Sequence, residues 1–113
     1  MKIDSYSFGR MVIGGELYTA DVIIYPDRVN GDWWREEGHL LKPADLEEVV
    51  KASPDLLVVG TGYYGLMKIS PDLPGYLQGI GIKLTTSPTT EAWSLFNDLV
   101  EKKRVVGAFH LTC

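Results

Sequence analysis

From Pro43 onward the hydrophobic pattern of the chain switches period repeatedly, and this switching restricts the fold more than any other feature. In "LKPADLEEVVKASP", Leu46, Val49 and Val50 recur at i, i+3 and i+4, the spacing of one helix face. Pro43 suits a first helical turn and Ser53-Pro54 a stop, so the spacing predicts a helix over 43–52. "DLLVVG" (55–60) is short and continuously apolar, the mark of a strand buried on both faces. Beyond a glycine-rich loop, "LMKIS" reads as a short strand. "SPDLPGYLQG" (70–79) spaces Leu73, Tyr76 and Leu77 helically, but Pro74 and Gly75 limit it to a short or irregular helix. "IGIKLT" (80–85) is a strand candidate. "SPTTEAWSLFNDLVEKK" (87–103) is the strongest helix, with Ser87, Thr89 or Thr90 available as cap and Ala92, Leu95, Phe96, Leu99 and Val100 as its apolar stripe. "RVVGAFHLT" (104–112) closes the series as a strand.

Helix and strand in alternation predict an α/β fold: a single three-layer domain over residues 1–113 with a mixed, partly parallel central sheet. The first third is β-rich. "IDSYSF" (3–8) and "RMVI" (10–13) are strands, Gly14-Gly15 turns a hairpin, and "ELYT" (16–19) pairs back. "DVIIYP" (21–26) is a β-branched strand closed by Pro26, and Asn30-Gly31 is a second turn signal.

Composition narrows the function classes. Eleven Lys and Arg against fifteen Asp and Glu leave a net charge of -4, which disfavours a nucleic-acid surface, because neutralising phosphates needs clustered cations. The densest basic cluster, "KKR" at 102–104, reads as a helix C-terminus, where cations favour the dipole. Cys113 is the single cysteine, so no disulfide forms within the chain and a reducing, cytoplasmic setting is expected. No run approaches the roughly 20 apolar residues of a membrane span. A homodimer is the default expectation for a small domain of this kind.

"GTGYYG" (60–65) spells G-x-G-x-x-G directly after a predicted strand. Dinucleotide binding also needs a helix opening at the third glycine and an acidic residue about 20 positions on, to reach the ribose. Here "LMKISP" follows the glycines, and no acid lies between Asp72 and Glu91. The loop is therefore read as a tight turn or as a backbone nest for an anion at a strand end, and no cofactor is expected. "WWREEGH" (33–39) adds Arg35 as a carboxylate or phosphate clamp and His39 as an acid or base, while the adjacent Glu36 and Glu37 are not expected to face one site. His110 and Cys113 in "HLTC" are too few for a metal site, so no metal is expected, and His110 reads as a hydrogen-bonded core histidine. No complete catalytic motif is present.

Four stretches occur in one order: Trp34, Arg35, Gly38 and His39; "VVGTG" at 58–62; Thr90, Ala92, Phe96, Asn97 and Leu99; and the ending "RVVGAFHLTC". Together they resemble the Mth938-type domain family of unknown function, over nearly the whole chain. The resemblance implies a compact three-layer α/β domain with a mixed sheet and no settled activity. It extends to an animal adipogenesis-associated branch and to a mitochondrial branch that assists complex I assembly through protein partners. It also implies that Gly60, Thr61 and Gly62 line a cleft, with Arg35, His39 and Asn97 as polar neighbours; Tyr63, next in the loop, is a further candidate ligand-binding residue. The leading expectation is a non-enzymatic protein-interaction or assembly module with an exposed apolar patch that includes Trp33 or Tyr63. The alternative is binding or conversion of a small anionic ligand at the Gly60-Thr61-Gly62 loop.

Overall fold

The computed structural model describes all 113 residues. Its centre is a five-stranded mixed sheet in the order β5-β4-β10-β7-β9, built from β4 (Val22–Ile24), β5 (Val29–Asn30), β7 (Leu56–Thr61), β9 (Lys83–Ser87) and β10 (Val105–His110). Strands β10, β7 and β9 run parallel, while β4 pairs antiparallel with β10, and β5 with β4. All six residues of β7 and all six of β10 are buried, which accounts for the apolar runs that precede Thr61 and His110 at their ends.

Two apolar layers follow from the strand alternation. Leu57, Val59, Val106, Ala108 and Ile23 face one side, where they meet Leu46 and Val49 from the segment 43–52 and Leu73 and Leu77 of α2 (Leu73–Gly79). That segment is a 3-10 turn, Pro43–Leu46, running into α1 (Glu47–Ala52). Leu56, Val58, Val105, Phe109, Val22 and Ile24 face the other side. There they pack on Ala92 and Phe96 of α3 (Thr89–Leu99) and on Ile3, Met11 and Ile13. The last three come from a separate antiparallel sheet of β1 (Ile3–Ser7), β2 (Arg10–Ile13) and β3 (Glu16–Tyr18). The hairpin between β2 and β3 turns on Gly14 and Gly15, both at positive φ (56° and 83°). A two-stranded parallel ribbon, β6 (Leu40–Leu41) with β8 (Lys68–Ile69), ties the loop before α1 to the loop after β7.

The α/β class, the mixed sheet and the β-rich N-terminal third are as the sequence predicts. Three local expectations are corrected. The strand expected at 80–85 is β9, which begins at Lys83 rather than Ile80, because α2 runs to Gly79 and the turn through Ile80 and Gly81 is still closing it. Helix α3 is shorter than 87–103: it starts after Pro88, the N-cap position, and ends at Leu99, with Lys102 and Lys103 in the following turn. No side-chain cap forms, since the Thr89 hydroxyl is used elsewhere. Finally, Glu36 and Glu37 do converge, on Lys42 Nζ at 3.5 and 3.3 Å. No helix is long and apolar enough to cross a membrane.

Candidate functional site

The loop after β7 carries the G-x-G-x-x-G pattern, and its backbone shows why glycine is needed. A Cβ on Gly60 would lie 2.6 Å from Thr89 Oγ1 and 2.8 Å from Phe109 Cδ1, so this residue lets the start of α3 approach the sheet. Gly62 has φ +105°, and a Cβ there would meet the Cys113 carbonyl oxygen at 2.5 Å and His110 Cδ2 at 2.8 Å. The glycines serve close packing of α3 and of residues 110–113.

Of the two readings of this loop, the tight turn fits better than the anion nest, because five of its backbone donors are used internally. Gly62 N–H donates to Thr89 Oγ1 (2.9 Å), and Tyr63 N–H to the Thr112 carbonyl (2.7 Å). Gly65, Leu66 and Met67 N–H donate to Gly62, Cys113 and Thr61 carbonyls. The Thr61 hydroxyl donates to the Ser87 carbonyl (3.2 Å). No helix opens at Gly65, since the chain continues to β8, so the phosphate-binding arrangement of a dinucleotide site is not built.

What the loop does present is its aromatic pair. Tyr63 and Tyr64 are exposed, with ring centroids 5.1 Å apart, and Phe8 from the β1–β2 turn packs against both at 5.8 and 6.1 Å. Exposed Leu66 belongs to the same loop. Tyr6 meets Tyr63 from beneath at 6.3 Å, while its hydroxyl donates to the Leu111 carbonyl. Burial, together with the nearby Tyr63 and Asp21, pushes the Tyr6 hydroxyl up to about 12. Trp33, by contrast, is a core residue: its indole N–H donates to the Asp45 carbonyl and its ring is buried. The exposed tryptophan of the pair is Trp34.

A second constellation lies beside this loop, at the carboxyl end of β10. The β4–β10 register pairs Val22 with Phe109, which brings Asp21 next to His110, and the parallel β7–β10 register puts Thr61 opposite His110. Asp21 Oδ2 is 2.8 Å from both Arg35 Nη2 and His110 Nδ1, and Asp21 Oδ1 accepts the Leu111 N–H at 2.8 Å. Arg35 also gives Nε and Nη2 to the Gly38 carbonyl, and its guanidinium lies 4.6 Å from the Trp33 ring centre. The side chains of Arg35 and His110 are almost fully buried. Burial alone would push the Asp21 carboxyl up, but hydrogen bonds from His110, Leu111 and Arg35 outweigh it and hold Asp21 below the usual carboxylate range. His39 is exposed, with its ring edge-on to His110 at 5.4 Å.

Of the residues named from the sequence, Arg35 and His39 therefore meet at His110, which in turn touches Gly62. Asn97 does not join them. Its side-chain amide accepts from Ile3 N–H and donates to the Ile3 carbonyl, both at 2.8 Å, which pins β1 to α3. The carboxylate that Arg35 was expected to clamp is internal, and only one of its Nη groups takes part. Asp21 had no motif around it, and only the pairing of β4 with β10 reveals its place.

The family model for a protein of unknown function (DUF498/DUF598) matches residues 3–111. The chain belongs to this family. Among solved structures, the DUF498/DUF598 fold seen here is similar to a conserved hypothetical protein, PH1505, from Pyrococcus horikoshii OT3. The two are 31% identical with a TM-score of 0.86, and the match covers 100% of each chain. It is also similar to MT938, at 23% identity and a TM-score of 0.82 over 99% of this chain and 98% of that one. A third similar structure, a Mth938-like domain from Bordetella pertussis, is 18% identical with a TM-score of 0.64, covering 97% of this chain and 85% of that one. The resemblance to the Mth938-type domain is thus established, and the DUF498/DUF598 domain occupies nearly the whole chain.

Proposed function

We propose that this domain is a protein-interaction module and that Phe8, Tyr63 and Tyr64 form its docking surface. The single observation behind this reading is the contiguous, exposed aromatic cluster, with relative exposures of 48%, 39% and 66% and each ring packed on the next. Large aromatic side chains held rigidly at a surface are the usual anchors of protein interfaces, because they bury much area and lose little conformational freedom on binding. Gly60, Thr61 and Gly62 contribute by fixing the loop, whose hydrogen bonds to residues 112 and 113 hold the tyrosines outward. The internal use of the loop's backbone donors argues against direct anion binding there. A cytoplasmic setting is part of this reading, on the strength of the single cysteine.

The test compares proteins recovered with the tagged chain from its own cells, for wild type and for Phe8→Ser combined with Tyr64→Ser. Trp34→Ser, at another exposed aromatic, serves as control. Removing two anchors is expected to reduce recovery of a specific partner by about tenfold or more, with the control unchanged and circular dichroism the same for all three. Equal recovery by the double variant and wild type would remove the basis of the reading. Sedimentation velocity on the same proteins tells whether the occupant is a second copy of this chain.

A further inference from the structure

Three buried side-chain polar atoms find no hydrogen-bonding partner in the protein, and two of them, Arg35 Nη1 and His110 Nε2, belong to one cluster. A buried donor or acceptor left unmatched is costly, so such atoms are rare in native proteins and call for an occupant. The third, Ser87 Oγ, is at the end of β9, across β7 from His110. Arg35 Nη2 lies 3.2 Å from His110 Nδ1, and only one carbon separates each unpaired nitrogen from the nitrogens in that contact. The side chains are 5% and 7% accessible. They stand where the parallel strands β10 and β7 end, the edge at which open α/β sheets bind ligands.

We propose that Arg35 Nη1 and His110 Nε2 form a binding site for one phosphate-type oxyanion, with His39 as its movable cover. The chemistry follows from Asp21. A carboxylate only accepts, so the ring nitrogen 2.8 Å from it, Nδ1, carries a proton, and the proposed site uses the tautomer whose Nε2 is left to accept. The guanidinium only donates, and Asp21 takes one arm of its end-on fork, leaving Nη1 without a partner. The occupant must therefore accept from Arg35 and donate to His110. Hydrogen phosphate does both through two of its oxygens. A carboxylate at neutral pH has no proton to give to Nε2. None of the structure's four cavities is lined by Arg35, His39 or His110, so the ion enters only when the exposed His39 ring, 5.4 Å from that of His110, swings aside; the His39 main chain stays fixed by the Lys68 N–H donated to its carbonyl.

The test is a titration of the 15N-labelled chain with sodium phosphate near neutral pH, reading the His110 ring nitrogens by long-range 1H–15N spectra. Sodium acetate and sodium chloride at matched ionic strength run beside it. Phosphate is expected to shift His110 Nε2 saturably, with acetate at least about tenfold weaker. Arg35→Lys keeps the charge but loses the fork, and is expected to weaken phosphate by about tenfold or more. His39→Ala is expected to bind at least as tightly as wild type. A Nε2 resonance that responds no differently to phosphate than to chloride overturns the proposal, as does wild-type affinity in Arg35→Lys. Should Arg35→Lys fail to fold, the wild-type series decides, and equal saturable shifts from phosphate and acetate overturn the phosphate assignment.

Discussion

Two glycines of the chain make opposite predictions. Gly62→Ala forces a left-handed backbone on an L residue and drives its Cβ into the Cys113 carbonyl, so a loss of about 2 kcal/mol or more is expected. Gly75→Ala, inside α2 with nothing within 4 Å of its Cβ and an ordinary φ, is expected to stabilise by about 0.5–1 kcal/mol. Urea denaturation of both variants checks the pair. What the sequence shows of this loop is that "LMKISP" after it denies Gly60, Gly62 and Gly65 the helix that phosphate binding requires. The reason Gly60 and Gly62 are glycine is not legible there, because it lies in Thr89, Phe109, His110 and Cys113, whose approach only the folded chain creates. Asp21 was hidden for the same reason. An acid before a β-branched run has no local signature, and its partners are Arg35, fourteen residues away, and His110, eighty-nine away.

At the level of elements, one hydroxyl cross-links the start of α3 to both the β7 loop and the end of β10, beside the backbone bond from Thr89 N–H to the Gly62 carbonyl (2.9 Å). Thr89 Oγ1 accepts the Gly62 N–H and donates to the His110 carbonyl at 2.7 Å, and its residue is fully buried. Thr89→Ala strands both backbone groups and is expected to cost on the order of 2–4 kcal/mol. Thr89→Ser keeps the oxygen and is expected to lose about 1 kcal/mol or less. Equilibrium denaturation distinguishes the two, and faster amide exchange at Gly62 in the alanine variant would locate the effect. "SPTT" reads naturally as a capping sequence, since caps and long-range cross-links draw on the same hydroxyl residues. The apolar runs at 56–60 and 105–109 were legible because each strand is buried on both faces. Strand β9 was harder to place: at the sheet edge, its "KLTTS" carries only one large apolar residue, Leu84.

For the whole molecule, Asp21 sets a direction for stability against pH. Its native carboxyl is held below the usual range, so on the acid side the unfolded chain binds more protons than the folded one. The stabilisation is fully present above the ordinary Asp value of about 3.9 and is lost as pH falls through the native value. Asp21→Asn is expected to lower stability near neutrality, by leaving Arg35 without its anion, and to flatten the decline between about pH 5 and pH 2. Urea midpoints measured across that range for both proteins test it. An equally steep decline in the variant would assign the acid sensitivity to other carboxylates.

The order β5-β4-β10-β7-β9 also has a temporal meaning. Strand β10 joins β4 to β7, and it is the last element of the domain in chain order. During synthesis the two flanking strand pairs emerge first and wait with their inner edges unpaired. Neither apolar layer can close until residues 105–110 leave the ribosome and thread between them. Such late, long-range closure slows folding and prolongs the exposure of strand edges. The nascent domain is therefore at its most aggregation-prone just before β10 arrives.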